Sequence, residues 1–291
     1  MSDSTAAGVA KIRHAEMLAP KEERIIEDPY AEYFYFGSTV SKWIGHANCV
    51  WLFEMLAPGS YEMLVARTRV IDELVKTETA AGVTQVVVLG AGYDMRSFRF
   101  PVPGVRFFEV DQPAVQKRKK DKVASIPDLP AANVYYVPVD FSCQSLEEEL
   151  RKVPDFDVSA KTLVTLEGVS QYISREAVCA TIKAIDRLTG AGSTFFLSYV
   201  DAQCTEPQKV VGQGYKNPER VKRVAAAAAT MGEPWVTFFE QSEVPGILEC
   251  SRFKLVSDVS TEEISRQYFP ASRQVPSEKL LQLERYVVAK K

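Results

Sequence analysis

Histidine is nearly missing from this sequence: His14 and His46 are the only two among 291 residues. So few imidazoles leave little room for a Ser-His-Asp triad and are too few for most metal sites. The five cysteines, Cys49, Cys143, Cys179, Cys204 and Cys250, are odd in number, scattered and never in a C-x-x-C pair. They argue against a disulfide framework or a zinc site and read as ordinary thiols. A surplus of positive charge is also lacking, since 35 lysines and arginines stand against 38 acidic residues, for a net charge of −3 and a pI near 5.7. The footprint of a nucleic-acid-binding protein is therefore absent. Lys117-Arg118-Lys119-Lys120 is the one basic run that could argue otherwise, and four charges on an amphipathic helix read as a solvated face. No apolar run approaches the ~20 residues that span a bilayer. The start, Met1-Ser2-Asp3-Ser4-Thr5, has no basic region followed by an apolar core. The expectation is a cytoplasmic enzyme or binding protein without nucleic-acid or membrane partners, working almost without imidazole.

What is present is the composition of a globular chain, 46% apolar and 25% charged. Up to about Thr79 apolar residues recur at three- and four-residue spacing, predicting helices over Ala7 to Leu18, Pro29 to Phe36, Val50 to Leu56 and Tyr61 to Val75. Asp28-Pro29 reads as a helix start. Tyr33-Phe34-Tyr35-Phe36 reads as a packed helix end, or alternatively as an aromatic substrate wall. From Gln85 the texture becomes β-rich: Gln85 to Leu89, Val105 to Val110, Val134 to Val137, Thr162 to Leu166 and Ser193 to Tyr199. Helical runs separate them, Pro113 to Ala124, Ser145 to Lys152 and Arg175 to Leu188, which is the alternation of a doubly wound, mostly parallel α/β sheet. A polar stretch with Gly212 and Gly214 follows, then a helix from Pro218 to Met231. Lys254 to Val259 and Arg285 to Ala289 complete a seven-stranded sheet, separated by a helix over Ser260 to Tyr268 that opens with the capping pattern Ser260-Thr261-Glu262-Glu263.

The sharpest local signal is Val86-Val87-Val88-Leu89-Gly90-Ala91-Gly92-Tyr93-Asp94, a buried-type strand running into Gly-Ala-Gly. Glycines there allow backbone conformations and close ligand approach that a Cβ would block. A nicotinamide oxidoreductase would share this start, but Met95 takes the place of the third glycine, which weakens the case for a pyrophosphate at the helix start. The second strand ends Phe108-Glu109-Val110-Asp111, and Asp111 lies 21 residues after Gly90, a spacing suited to a carboxylate on ribose hydroxyls. Asp140 and Phe141 follow the third strand and could hold an adenine amino group and face, although Asp140 could instead cap the next turn. Glu167 emerges directly from the apolar fourth strand, where a carboxylate is costly unless paired. Its partner is either a cationic ligand group or a structural arginine such as Arg67 or Arg13.

Taken in order, Ala7 to Arg13, Asp28-Pro29-Tyr30-Ala31, Ala66-Arg67-Thr68-Arg69-Val70-Ile71-Asp72, Leu89 to Arg96, Phe108-Glu109-Val110-Asp111 and Glu167-Gly168-Val169-Ser170-Gln171-Tyr172 resemble the S-adenosylmethionine-dependent leucine carboxyl methyltransferase family. The texture is closer to its microbial and polyketide-modifying O-methyltransferase branch. The resemblance implies a class I methyltransferase, Rossmann-like fold in one domain: a helical cap over residues 1–80, a cofactor-binding core over 81–199, a substrate lid over 200–250 and closing strands over 251–291. S-adenosyl-L-methionine is the implied cofactor, with Gly90, Ala91 and Gly92 bordering it, Asp111 on the ribose, Asp140 and Phe141 on the adenine, Glu167 on the methionine ammonium and Arg67 on its carboxylate. Arg13, or else Lys11, is the implied N-terminal basic helper. The sequence departs from the family pattern at Met95, where a small hydroxyl residue is usual, and at Ser170-Gln171, where apolar residues are common.

The implied activity is O-methylation of a carboxylate or phenol on a small molecule or peptide. An activated sulfonium methyl asks the protein mainly for alignment and exclusion of water. A carboxylate needs no base, whereas a phenol of pKa near ~10 needs deprotonation or a stabilising cation. Tyr172, Arg96 and Arg99 are conceivable groups on the acceptor side, with packing or ion pairing as the plainer reading of each. The rival from another class is a catalytically idle module that binds the cofactor or a partner.

Overall fold

Strands that are buried along their whole length need cover on both faces, and three of the seven here are of that kind. β1 (Gln85–Leu89), β4 (Thr162–Leu166) and β5 (Thr194–Val200) are buried at every position, as parallel strands sandwiched between helices must be. The computed structural model describes residues 3–141, 143–205, 218–230 and 232–291, so Gly212, Gly214 and Met231 lie outside the described residues. With β2 (Arg106–Asp111), β3 (Val134–Pro138), β6 (Lys254–Ser260) and β7 (Glu284–Lys290), the sheet has the order β3-β2-β1-β4-β5-β7-β6. β1 to β5 run parallel, and β7 enters antiparallel between β5 and β6. The order reverses between β1 and β4, and a crevice at the carboxyl ends of the strands beside such a switch point is where open α/β sheets hold ligands.

Side chains alternate across the sheet with period two, so β1 serves two cores. Val86 and Val88 meet Val65, Ala66, Ile71 and Val75 of α3 (Ser60–Ala80) on one face. Val87 and Leu89 meet Leu150 of α6 (Leu146–Arg151) and Val178, Ile182 and Ile185 of α7 (Arg175–Arg187) on the other. α3, in the stretch expected to form a cap, thus belongs to the layer against the sheet, while α1 (Asp3–Met17) and α2 (Ser38–Leu56) pack outside it. The remaining helices among the described residues are α4 (Arg96–Arg99), α5 (Pro113–Val123), α8 (Pro218–Thr230), α9 (Val244–Leu248) and α10 (Thr261–Tyr268). The expected capping pattern is in place at α10, where the Ser260 hydroxyl accepts from Glu263 N and the Glu263 carboxylate reaches back to Ser260 N.

Two local expectations are corrected. Pro29 to Phe36 does not form a helix; a single 3-10 turn spans Ala31–Phe34 and Tyr35 is extended. The fully buried Asp28 is the reason, because its carboxylate accepts from Tyr30 N at 3.2 Å and pairs with Arg13 at 2.8 Å, holding the chain in a turn. Of the four aromatics that follow, Phe34 is buried with its ring 4.8 Å from that of Tyr93, whereas Tyr33 and Phe36 are exposed. The basic run on α5 is not uniformly solvated either. Lys119 is buried and paired with Glu109, because the helix turns this one position under the end of β1, where its ammonium also donates to the Asp94 carbonyl.

Candidate active site

The parallel register sets the site. Leu89 is level with Val110 on one side and Leu166 on the other, so Gly90, Asp111 and Glu167 leave the sheet together at its carboxyl edge. Gly90 has φ +69, and a Cβ there would stand 2.4 Å from Val169 Cγ2, so both the backbone conformation and the close approach demand glycine. Gly90 N and Ala91 N donate to Val110 O at 2.9 and 3.1 Å, which folds the glycine loop toward β2. Asp111 completes it: one carboxylate oxygen accepts from Gly92 N and the other from Gln112 N, each at 2.7 Å. Around this loop lies a crevice lined by Ala6, Val9 and Arg13 of α1, Arg67 of α3, the segment from Gly90 to Asp94, and Glu167.

The floor is an ion-pair network. Arg67 Nε donates to Glu167 at 3.0 Å and its Nη1 to Glu284 at 2.7 Å. The Arg67 guanidinium also lies against Gly168, where a Cβ would stand 3.0 Å from Nη1 and where φ is +62, so the close approach and the backbone both favour glycine. Arg96, 2% exposed, donates through Nε to Asp72 at 2.7 Å and through Nη1 to Glu167 at 2.8 Å and to Asp94. Arg99 bonds Asp72 as well, and its Nε donates to Glu27 O at 2.7 Å. Arg13 donates to Tyr93 O at 2.6 Å. Burial alone would raise these carboxyls, but Arg96, Lys119 and Arg13 pull Asp94 down to about 2, and Arg96 with Arg67 holds Glu167 below its ordinary range. Both acids in the crevice lining are therefore anionic and occupied at neutral pH.

The structure brings Arg13, Arg67, Gly90, Ala91, Gly92 and Glu167 into one lining, and sets Asp111 directly beneath it. Asp140 and the half-exposed Phe141 lie on the loop after β3, outside that lining. Lys11 faces elsewhere, its ammonium 5.5 Å from the centre of the Phe53 ring. Tyr172 is half-buried on the short turn after Glu167, also outside the lining, with its hydroxyl pushed up by burial. Arg96 and Arg99 are ion-pair residues, and Met95 packs in a core with Phe34, Tyr93 and Phe98. Sequence reasoning gave no role to Asp72, Asp94 or Glu284. Asp94 had a signal, since it follows the glycine loop directly; Glu284 had none within its own segment.

Asp111→Ala removes the acceptor of two backbone donors and is expected to weaken S-adenosylhomocysteine binding by roughly 1–3 kcal/mol, the scale of stranding hydrogen-bonded partners of a charged group. Titration calorimetry against the parent protein measures it. An unchanged dissociation constant would confine Asp111 to holding the loop.

A parallel sheet closed by an inserted antiparallel seventh strand, with a glycine loop and acidic strand ends gathered at one edge, is a doubly wound α/β fold with a ligand crevice at its switch point. The leucine carboxyl methyltransferase family model matches residues 6–186, and the chain belongs to that family. A relative from Mycolicibacterium paratuberculosis named "Putative S-adenosyl-L-methionine-dependent methyltransferase" is 31% identical over 83% of this chain and 78% of its own. A relative of the same description, YktD of Bacillus subtilis, is 29% identical over 70% of this chain and 65% of its own. In fold, the chain is similar to a solved "putative methyltransferase" from Thermobifida fusca, with a TM-score of 0.59, 19% identity and coverage of 95% and 97% of the two chains. S-adenosylmethionine is thus the cofactor, which sets the nicotinamide alternative aside. Among the described residues no helix is long and apolar enough to cross a membrane.

Proposed function

We propose that the chain moves the methyl group of S-adenosylmethionine to an oxygen of a small molecule or peptide, and that this oxygen belongs to a carboxylate. One observation carries the reading: among the described residues the crevice lining contains no histidine, cysteine or lysine, and its two acids are locked in ion pairs. His14 meets the Tyr35 hydroxyl and His46 the Tyr61 hydroxyl, neither in the lining. A phenol would have to find a base here, whereas a carboxylate is already anionic. The description of the family as carboxyl methyltransferases agrees.

The residues present fit the cofactor. Arg67 has spent Nε and Nη1 on carboxylates, and Nη2 has no partner among the described residues, leaving one donor for the methionine carboxylate. In this reading Glu167 faces the ammonium, Arg13 assists from α1, Gly90 to Gly92 leave room for close approach, Asp111 takes the ribose, and Asp140 with the ring of Phe141 takes the adenine. Bound S-adenosylmethionine supplies an activated sulfonium methyl. The chain's own task is to orient the acceptor and exclude water. A cap and lid over the crevice are supported by α1, which gives Ala6, Val9 and Arg13 to the lining while its Thr5 hydroxyl donates to Glu233 beyond α8. Tyr172, close enough to Arg67 and Glu284 to feel their charges, is the candidate on the acceptor side.

The test is a screen of carboxylate and phenol acceptors with labelled cofactor, with mass spectrometry locating the new methyl. Methyl esters are expected, and turnover should persist in mildly acidic buffer because no base must be unprotonated. Phenol ethers alone would overturn the carboxylate assignment. Cofactor binding without product across acceptors of both kinds would favour the idle module.

A further inference from the structure

The antiparallel entry of β7 has a chemical consequence. Because β7 runs opposite to β5, its first residue, Glu284, is level with Val200 at the last position of β5 and so reaches the same sheet edge as Gly90 and Glu167. Glu284 is 3% exposed, and one of its oxygens accepts from Arg67 Nη1 at 2.7 Å. Its other oxygen, Oε2, is buried without a hydrogen-bond partner among the described residues. Glu167 differs, since both of its oxygens are taken, one by Arg67 and one by Arg96. Arg67 therefore carries two carboxylates on two of its edges, and only one of them is fully satisfied.

We propose that Glu284 is a positioning residue that competes, when ionised, with the cofactor's carboxylate for Arg67, and so sets how tightly the amino-acid end of the cofactor is held. The proposal rests on Arg67 as the carboxylate ligand. Charge sharing sets the competition. A guanidinium already neutralised by two anions attracts a third weakly, and a proton on Glu284 removes one of the two. Burial favours that proton, as does the neighbouring Glu167, while Arg67 opposes it, and the balance moves the Glu284 carboxyl upward from its ordinary value. Among the described residues, the charged and titratable groups that face Glu284 are Arg67 of α3, Glu167 after β4, Tyr172 on the turn that follows, and Tyr286 of β7. Both tyrosines are pushed above their usual value by burial, so they stay neutral through the neutral range. Thr261 of α10, which bonds the Glu284 carbonyl, carries no charge.

The sign follows. Raising the pH ionises Glu284, adds an anion beside Arg67 and weakens binding of a ligand that has a carboxylate, by at most about tenfold for each pH unit across the titration. Glu284→Gln keeps an oxygen for Arg67 Nη1 and removes the charge. The experiment is calorimetric titration of the full chain, parent and Glu284→Gln, with S-adenosylhomocysteine and with methylthioadenosine, from mildly acidic to mildly alkaline buffer. In the parent, S-adenosylhomocysteine should weaken as pH rises while methylthioadenosine does not. In the variant that slope should flatten, and S-adenosylhomocysteine should bind several-fold tighter than in the parent at the alkaline end. Equal losses of both ligands in Glu284→Gln, or an unaltered pH slope, would overturn the proposal and leave Glu284 a structural anchor. Arg67→Lys run beside it separates the two ideas: if that variant loses both ligands alike, the reading of Arg67 itself has failed, whatever Glu284 does.

Discussion

Arg67→Lys is expected to weaken S-adenosylhomocysteine binding by roughly 10–100-fold while changing methylthioadenosine, which lacks the amino-acid group, only a few-fold. The charge survives the substitution, and the geometry does not. Arg67 presents a planar fork whose Nε meets Glu167 at 3.0 Å and whose Nη1 meets Glu284 at 2.7 Å, so that Nη2 is left for a ligand. A lysine ammonium is a point charge on a flexible stem and cannot hold two carboxylates on two fixed edges while offering a third donor in plane. Charge-assisted hydrogen bonds contribute about 1.5–3 kcal/mol each, which sets the expected range. Arg67 is also buried, so some loss of melting temperature accompanies the change. The measured quantity is thus the difference between the two ligands rather than either affinity alone. If both ligands weaken to the same extent, Arg67 serves only to pair Glu167 with Glu284.

The sheet was legible because its signals are local. Val86-Val87-Val88-Leu89 and Leu163-Val164-Thr165-Leu166 are apolar runs with a polar residue or glycine after them, and each of the seven strands begins within one residue of its expected start. The segment after Asp28 misled because a good helix-start pattern was overridden from a distance: Arg13, on another helix, claims the Asp28 carboxylate. Lys119 misled for a related reason, since composition counts charges on a helix but not which one faces Glu109. In the site, Gly90 and Glu167 were legible from the strands that deliver them. Asp94 had a signal in its place just after the glycine loop, but Asp72 and Glu284 had none, because a partner for a buried arginine is fixed by three-dimensional neighbourhood and not by spacing. Glu284 stands 217 residues from Arg67. Only the insertion of β7 beside β5 brings the two together, and nothing near Glu284 in the chain announces that insertion.

Arg96→Leu should have the largest effect on stability of any single change in the network, about 3–5 kcal/mol, the usual cost of removing one partner from buried ion pairs. Arg96 touches Asp72, Asp94 and Glu167, each of them on a different segment, and donates to the Thr68 carbonyl as well. Without it, Asp94 and Glu167 lose their strongest opposing charge, and Asp72 keeps Arg99 alone among the described residues. Acid should shrink the deficit, and the sign can be worked out from Asp94. In the parent, Arg96 and its neighbours hold the Asp94 carboxyl at about 2 against an ordinary value of 3.8, so its contribution is fully present above 3.8 and is lost as pH falls toward 2. In Arg96→Leu that depression is gone, and burial instead favours the protonated acid. The stranded carboxylates then gain relief from each proton they take up. Denaturant unfolding of parent and variant at neutral pH and near pH ~4 gives the two differences in stability, and the neutral one should be the larger. Arg96→Lys restores a charge but cannot reach all four acceptors, so it should fall between. A loss below about 1 kcal/mol for Arg96→Leu, or one that does not change with pH, would mean that the floor of the crevice is held by apolar packing of α3 on the sheet and that the ion pairs add little to it.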